Sequence, residues 1–384
     1  MMGLYHKVNY NNFFKVLVSV WIFSIPFKNA IFQISIIGII LFFLYDLFKT
    51  KRFDILIENL KQTRYLFIGF SFIIFAMILS NILNPEFIDK KSWHTIFSFV
   101  YKYGLIFIML AYFYKLEFFR KKEILIVVWC SFLLLLLTGI YQIIQEPTII
   151  LGGGLTGSLD NRNAFGLMMG MGFVLSLSLL KYKRNVALFS IVLFSFFMIF
   201  SFSRSSWVAS FSSFIVLLIL NYKNIKISHM IYFLCFLCFL LLLYFNFDSF
   251  QNRFEQLLNG ESSNRTTIWL YTIEFIKEKL FFGYGINSWK YLPNEYLNKF
   301  PDPHNSILEI LIYTGLFGFI SCLFTIIIVL RKIYKSKNFI LFSISTYFII
   351  VTQFDFGAYG SKELLSFLTI FVFFVYSDSF REEK

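Results

Sequence analysis

Three short stretches of the sequence hold side chains whose types suit work on a phosphorylated substrate. Arg204 stands in SFSRSSW between two apolar runs, Arg265 stands in SSNRTTIW, and His304 follows Pro301, Asp302 and Pro303 in PDPHNSIL. A guanidinium presents a fixed fork of donors that matches a phosphate oxygen pair. Imidazole is the side chain that exchanges protons near neutral pH, and a general base typically contributes about 10²- to 10⁴-fold in rate. Two cations and one base are therefore the parts needed to hold a diphosphate and to deprotonate an attacking hydroxyl. No DxD, Walker loop or HExxH sequence occurs, so the pattern asks for neither a nucleotide nor a metal.

Each of these residues also has a plainer reading. Arg204 could snorkel from an apolar helix to water, but Ser203, Ser205 and Ser206 surround it with small hydroxyl donors that suit an anion at headgroup level. Arg265 is either a solvated first-turn residue or a cation that joins free helix N–H groups in gripping phosphate. His304 either anchors the end of a loop or acts as a base. Among His6, His94, His229 and His304, only His304 has a proline-fixed setting at a helix start. Asp302 either orients His304 or shapes the turn, and Asn305 is a helix-start residue. The run GGGLTGSLDNRNAFG offers Arg162 and Asn163 to sugar hydroxyls or phosphate, or else is a solvated turn before a helix. Lys102, between Tyr101 and Tyr103 inside an apolar run, either snorkels or binds the donor.

The elements that must position these groups are hydrophobic helices. Of 384 residues, 58% are hydrophobic and only 15% charged, more apolar surface than a soluble core can hide. A spanning helix needs roughly 17 to 25 mainly apolar residues. Clear runs cover 29–48, 65–83, 95–114, 124–144, 164–180, 186–202, 227–247 and 307–330, and shorter ones 13–27, 205–220, 339–354 and 364–376. The expected fold is all-α, a polytopic membrane protein of about twelve transmembrane helices forming a single membrane domain, 1–384. Most of the 35 Lys and Arg residues fall in the alternate loops that share a side with the N-terminus, which places both termini in the cytoplasm. One long extracytoplasmic loop, 248–303, interrupts the series. Within it Ile268, Trp269, Thr272, Ile273, Phe275, Ile276 and Leu280 recur at helical spacing and predict an amphipathic helix capped by Ser263 or Asn264. Arg204, Arg265 and His304 all fall on the outer face, fixed by the charge count alone.

The same frame weighs against other classes, a polysaccharide-lipid transporter being the further alternative to a transferase. A net charge of +13 is what positive loops give a membrane chain and does not indicate nucleic acid. Cys130, Cys235, Cys238 and Cys322 lie inside apolar runs and read as small hydrophobes, not as a redox or zinc motif. A transporter would show repeats and ionisable groups near the bilayer middle, whereas these candidates sit at one face.

His304 and Asn305, nine residues, then Gly315 and Gly318 reproduce the His-Asn-x9-Gly-x-x-Gly pattern of O-antigen ligases. With the arginine segments at Arg204 and Arg265 and the Asn-Arg-Asn run at 161–163, the chain resembles the O-antigen ligase and polymerase family of bacterial membrane glycosyltransferases. The likeness covers most of the chain in topology and says little about the first 150 residues. It implies an inner-membrane enzyme with its active site on the periplasmic side. Without metal or cofactor, and with inversion, it would move a glycan from an undecaprenyl-pyrophosphate-linked donor to an acceptor hydroxyl. The acceptor is lipid A-core for a ligase and the growing glycan for a polymerase. By the same resemblance, Arg204 and Arg265 hold the pyrophosphate and His304 is the base.

Overall fold

The computed structural model describes residues 2–27, 29–180, 183–221, 238, 240–260, 264–294, 299–354 and 357–380. The described residues are helical, with no strand. In chain order the helices are α1 Met2–Ser24, α2 Asn29–Thr50, α3 Phe53–Gln62, α4 Arg64–Leu83, α5 Lys90–Phe99, α6 Ile106–Lys115, α7 Lys121–Gln145, α8 Arg162–Leu179, α9 Arg184–Phe200, α10 Arg204–Leu220, α11 Asp248–Leu258, α12 Arg265–Glu278, α13 Ser306–Ser336, α14 Phe339–Val351 and α15 Lys362–Tyr376. A π-helical turn, Val100–Leu105, joins α5 to α6 into one span.

Their outward faces identify the solvent. α2 buries Phe32, Ile36, Ile39 and Phe43 at helical spacing, yet its opposite face carries Ile34, Ile37 and Leu41, which are 69%, 52% and 61% exposed. A water-facing helix would be polar there, so lipid is the medium. Among the described residues six helices are long and apolar enough to cross a membrane: α2, α4, the joined α5–α6, α7, α8 and α13. Three shorter apolar helices, α9, α10 and α14, lie where spans are expected at 186–202, 205–220 and 339–354. The expected runs 13–27 and 364–376 fall in α1 and α15, and most of 227–247 lies outside the described residues. The stretch 49–64, expected as a loop, contains α3, whose Asp54 lies in its first turn and Lys61 in its last, matching the helix dipole.

The chain divides into two compact units. Unit 1 comprises 1–131, 267–335 and 356–384, and unit 2 comprises 132–266 and 336–355. In unit 1 an aromatic-rich core gathers Ile73 and Met77 of α4, Phe99 of α5, Ile268 and Ile276 of α12, Tyr284, Trp289, Ile312, Tyr313 and Tyr359. In unit 2, α8 is the central helix because its small residues admit close neighbours. A side chain at Gly166 would strike Ser203 and Ser206, at Gly170 Tyr347, and at Gly172 Phe194. Tyr347 Oη donates to the Leu167 carbonyl at 2.8 Å, tying α14 to α8.

Candidate functional site

In unit 1 the sequence around His304 folds as a pinned turn. Trp269 Nε1 donates to the Pro303 carbonyl at 3.0 Å and Trp289 Nε1 to the Phe300 carbonyl at 2.9 Å, so two indoles fix the segment before the helix. Asn305 then caps α13, its Oδ1 accepting from Leu308 N at 3.0 Å. Between them His304 is left-handed, φ 51°, a conformation that His adopts more readily than most residues. Asp302 Oδ1 accepts the His304 backbone N–H at 2.7 Å and lies 3.1 Å from the ring Nδ1. The carboxylate is aligned on the backbone, so its hold on the ring is electrostatic, and Nδ1 is a buried atom without a hydrogen-bond partner. The His304 and Asp302 side chains are each 26% exposed. The arrangement leaves the imidazole partly open to a substrate with a negative charge behind it.

One turn further, the Glu309 side chain is buried, and its carboxylate accepts the backbone N–H of Ala358. This pins the 357–361 segment beside the His304 turn, and Gly357 is needed there because a Cβ would come within 2.8 Å of Glu309 Oε2. Nothing in the sequence pattern marks Glu309 apart from its place on the first turn of α13.

The glycines of the His304 motif are explained by a break in α13. Gly315 has φ 63° and ψ −163°, and a Cβ there would meet the Phe281 backbone. The carbonyls released at the break accept from the segment that follows α12: Tyr284 N donates to Ile312 O at 2.8 Å and Gly285 N to Tyr313 O at 3.0 Å. In return Leu316 N donates to Leu280 O at 2.8 Å, and Ser80 Oγ donates to Tyr313 O at 2.6 Å. A broken helix in a membrane needs such substitute partners, and here α4 and the 280–285 segment supply them. Gly318 lies against Thr314. The motif is thus one rigid device that sets His304 relative to the backbone of 280–285.

In unit 2 Arg162 and Arg204 each open one of two helices, α8 and α10, that pack on each other. Arg162 opens α8 behind the cap residue Asn161, whose Oδ1 accepts from Asn163 N at 2.8 Å and Ala164 N at 3.2 Å. Arg204 opens α10 behind Ser203, whose hydroxyl is shared with Ser205 and Ser206 at 3.1 and 3.0 Å. Gly154, φ 85°, sits between Arg162 and the turn before α10: a Cβ on it would lie 3.1 Å from Arg162 Cδ and 2.9 Å from Ser201 O. Leu155 N bonds to Phe200 O at 2.9 Å, so the glycine run is stitched to the α9–α10 turn. The sequence reading missed a third cation, Arg253 of α11. Burial, and then repulsion by Arg162 and Arg204, lower its pKa from the usual arginine value.

Arg265 is the first residue of α12, where the chain passes from unit 2 to unit 1. Lys102 is held in the π-helical turn, its Nζ 5.5 Å from the Tyr101 ring centre, rather than in the His304 turn.

Among the described residues the chain is all-helical with helices long and apolar enough to cross a membrane, which defines its class as a polytopic membrane protein. Residues 189–323 match the family described as O-antigen ligase, so this part of the chain is similar to that family. The matched stretch includes Arg204, Arg253, Arg265, His304 and the α13 glycines, and leaves out Lys102, Arg162 and Asn163. No curated protein matches the chain.

Proposed function

We propose that the chain is an O-antigen ligase that transfers a glycan from undecaprenyl pyrophosphate to a hydroxyl of lipid A-core on the periplasmic face of the inner membrane. The observation that carries this reading is the turn at 302–305, in which Asp302 backs the imidazole of His304 inside the O-antigen ligase match. In the reaction His304 Nε2 removes the proton from the acceptor hydroxyl as its oxygen bonds to the anomeric carbon. The bond from that carbon to the pyrophosphate breaks on the opposite face, giving inversion, and the pyrophosphate keeps the electron pair. Asp302 stabilises the imidazolium that forms. Arg204 and Arg265 take the charge that grows on the leaving group, so the step needs no metal. Asn305, Arg162, Asn163 and Lys102 are assigned to donor or acceptor binding.

In a strain deleted for the gene, plasmid-borne His304→Ala or Arg265→Ala should insert in the membrane and fail to restore surface polysaccharide. Full complementation by both variants would remove the assignment. The deletion strain itself separates the acceptors. Long chains retained on the lipid carrier identify a ligase, and single units capping lipid A-core identify a polymerase that uses the same donor.

A further inference from the structure

α11 is seated by contacts that decide where Arg253 points. Ser249 Oγ donates to the Leu151 carbonyl, joining the helix to the segment before the glycine run, and the Phe250 ring lies 5.3 Å from that of Trp207 in α10. Phe250 and Arg253 are three residues apart and so share a helix face. That face is therefore held over both the glycine run beside Arg162 and the first turn of α10, which holds Arg204. Gln256 accepts from Arg253 Nη1 at 3.1 Å and orients the guanidinium from within the helix. Arg162 and Arg204 both act on Arg253 as positive charges. Guanidiniums that repel one another are stabilised by a bound anion.

We propose that Arg162, Arg204 and Arg253 form one trivalent cationic site in unit 2 that chelates a diphosphate, with Arg253 the residue that distinguishes a diphosphate from a monophosphate. This rests on the reading of the chain as a lipid-pyrophosphate-dependent transferase and extends it, because the resemblance gives Arg253 no role. Two forks can saturate one phosphate bidentately. A third on a separate helix is useful only to an anion long enough to reach it.

The test is calorimetric titration of the purified, detergent-solubilised full chain with inorganic pyrophosphate, inorganic phosphate and short-chain phosphatidylglycerol. Wild type should prefer pyrophosphate. Arg253→Gln, which preserves helix propensity, should weaken it about tenfold or more, the loss expected for one charge-assisted contact. Arg253→Lys should recover part of the affinity, which also shows that loss in the glutamine variant is not misfolding. Phosphate should bind weakly and alike in all three proteins. Wild-type pyrophosphate affinity in Arg253→Gln overturns the proposal. So does phosphatidylglycerol binding as tight as pyrophosphate and equally sensitive to Arg253, which would make the cluster a headgroup anchor. His304→Ala separates the two claims: it should bind pyrophosphate as wild type does while transferring no glycan. If wild type binds pyrophosphate but moves no glycan from the lipid carrier, the transferase reading fails and the diphosphate site stands.

Discussion

Asp302 does two things with one oxygen, accepting the His304 backbone N–H and facing the ring Nδ1. The two roles separate by substitution. In Asp302→Asn the amide oxygen can still accept the backbone N–H, so the turn persists, but the negative charge that stabilises the imidazolium is lost. We expect roughly 10²-fold lower kcat with KM for the lipid-linked donor little changed, and a pH–rate profile altered on its acidic limb, where the base is lost to protonation. Wild-type kcat in this variant would mean that His304 does not work against Asp302. The residue types and spacing of this turn were legible in the sequence because proline, aspartate and asparagine have strong local preferences at helix starts. Arg253 was not. It reads as one more basic residue in a long loop until Ser249 and Phe250 seat its helix, and those contacts join positions 98 and 43 residues apart. Glu309 was hidden for the same reason, since its partner lies at Ala358.

At the scale of elements, helix positions followed from apolar run length, and most expected runs end within a few residues of the observed helices. The break in α13 did not, because Gly315 inside an apolar run looks like any tolerated glycine until the 280–285 backbone is seen to fill the gap. Its conformation is one that L side chains rarely adopt, and a Cβ would also meet the Phe281 backbone. Gly315→Ala should therefore cost about 1–3 kcal/mol from strain alone, lowering Tm and reducing transfer by displacing His304. An unchanged Tm would show that α13 can straighten without loss. A second element, α5, depends on its cap. Asp89 accepts from Ser92 N at 2.9 Å, Lys290 Nζ at 2.8 Å and Tyr291 Oη at 3.0 Å. The hydrogen bond from Lys290, foremost, holds its carboxyl well below the usual carboxylate range. With the folded value depressed, the contribution is complete above the unfolded aspartate value of about 4 and is lost as pH falls through the folded value. Melting temperature should fall less steeply below about pH 4 in Asp89→Asn than in wild type; parallel curves would leave the cap without that role.

For the whole molecule, positive loops and helix exposure make independent statements about the membrane. The outward faces of α2 and α4 are apolar, which requires lipid around them, while the basic loops decide which side each end faces. The topology we propose from the two makes 248–303 periplasmic, the side on which the proposed lipid-linked donor would be presented. Asn259 at the end of α11 and Lys335 near the end of α13 are both exposed, and they fall on opposite sides in this topology. In a background without native cysteines, Asn259→Cys should react with a membrane-impermeant maleimide in intact spheroplasts. Lys335→Cys should react only after the membrane is opened. The reverse pattern would put the guanidinium cluster and the imidazole in the cytosol, where neither the proposed acceptor nor the flipped donor is available, and the ligase reading would fail with it.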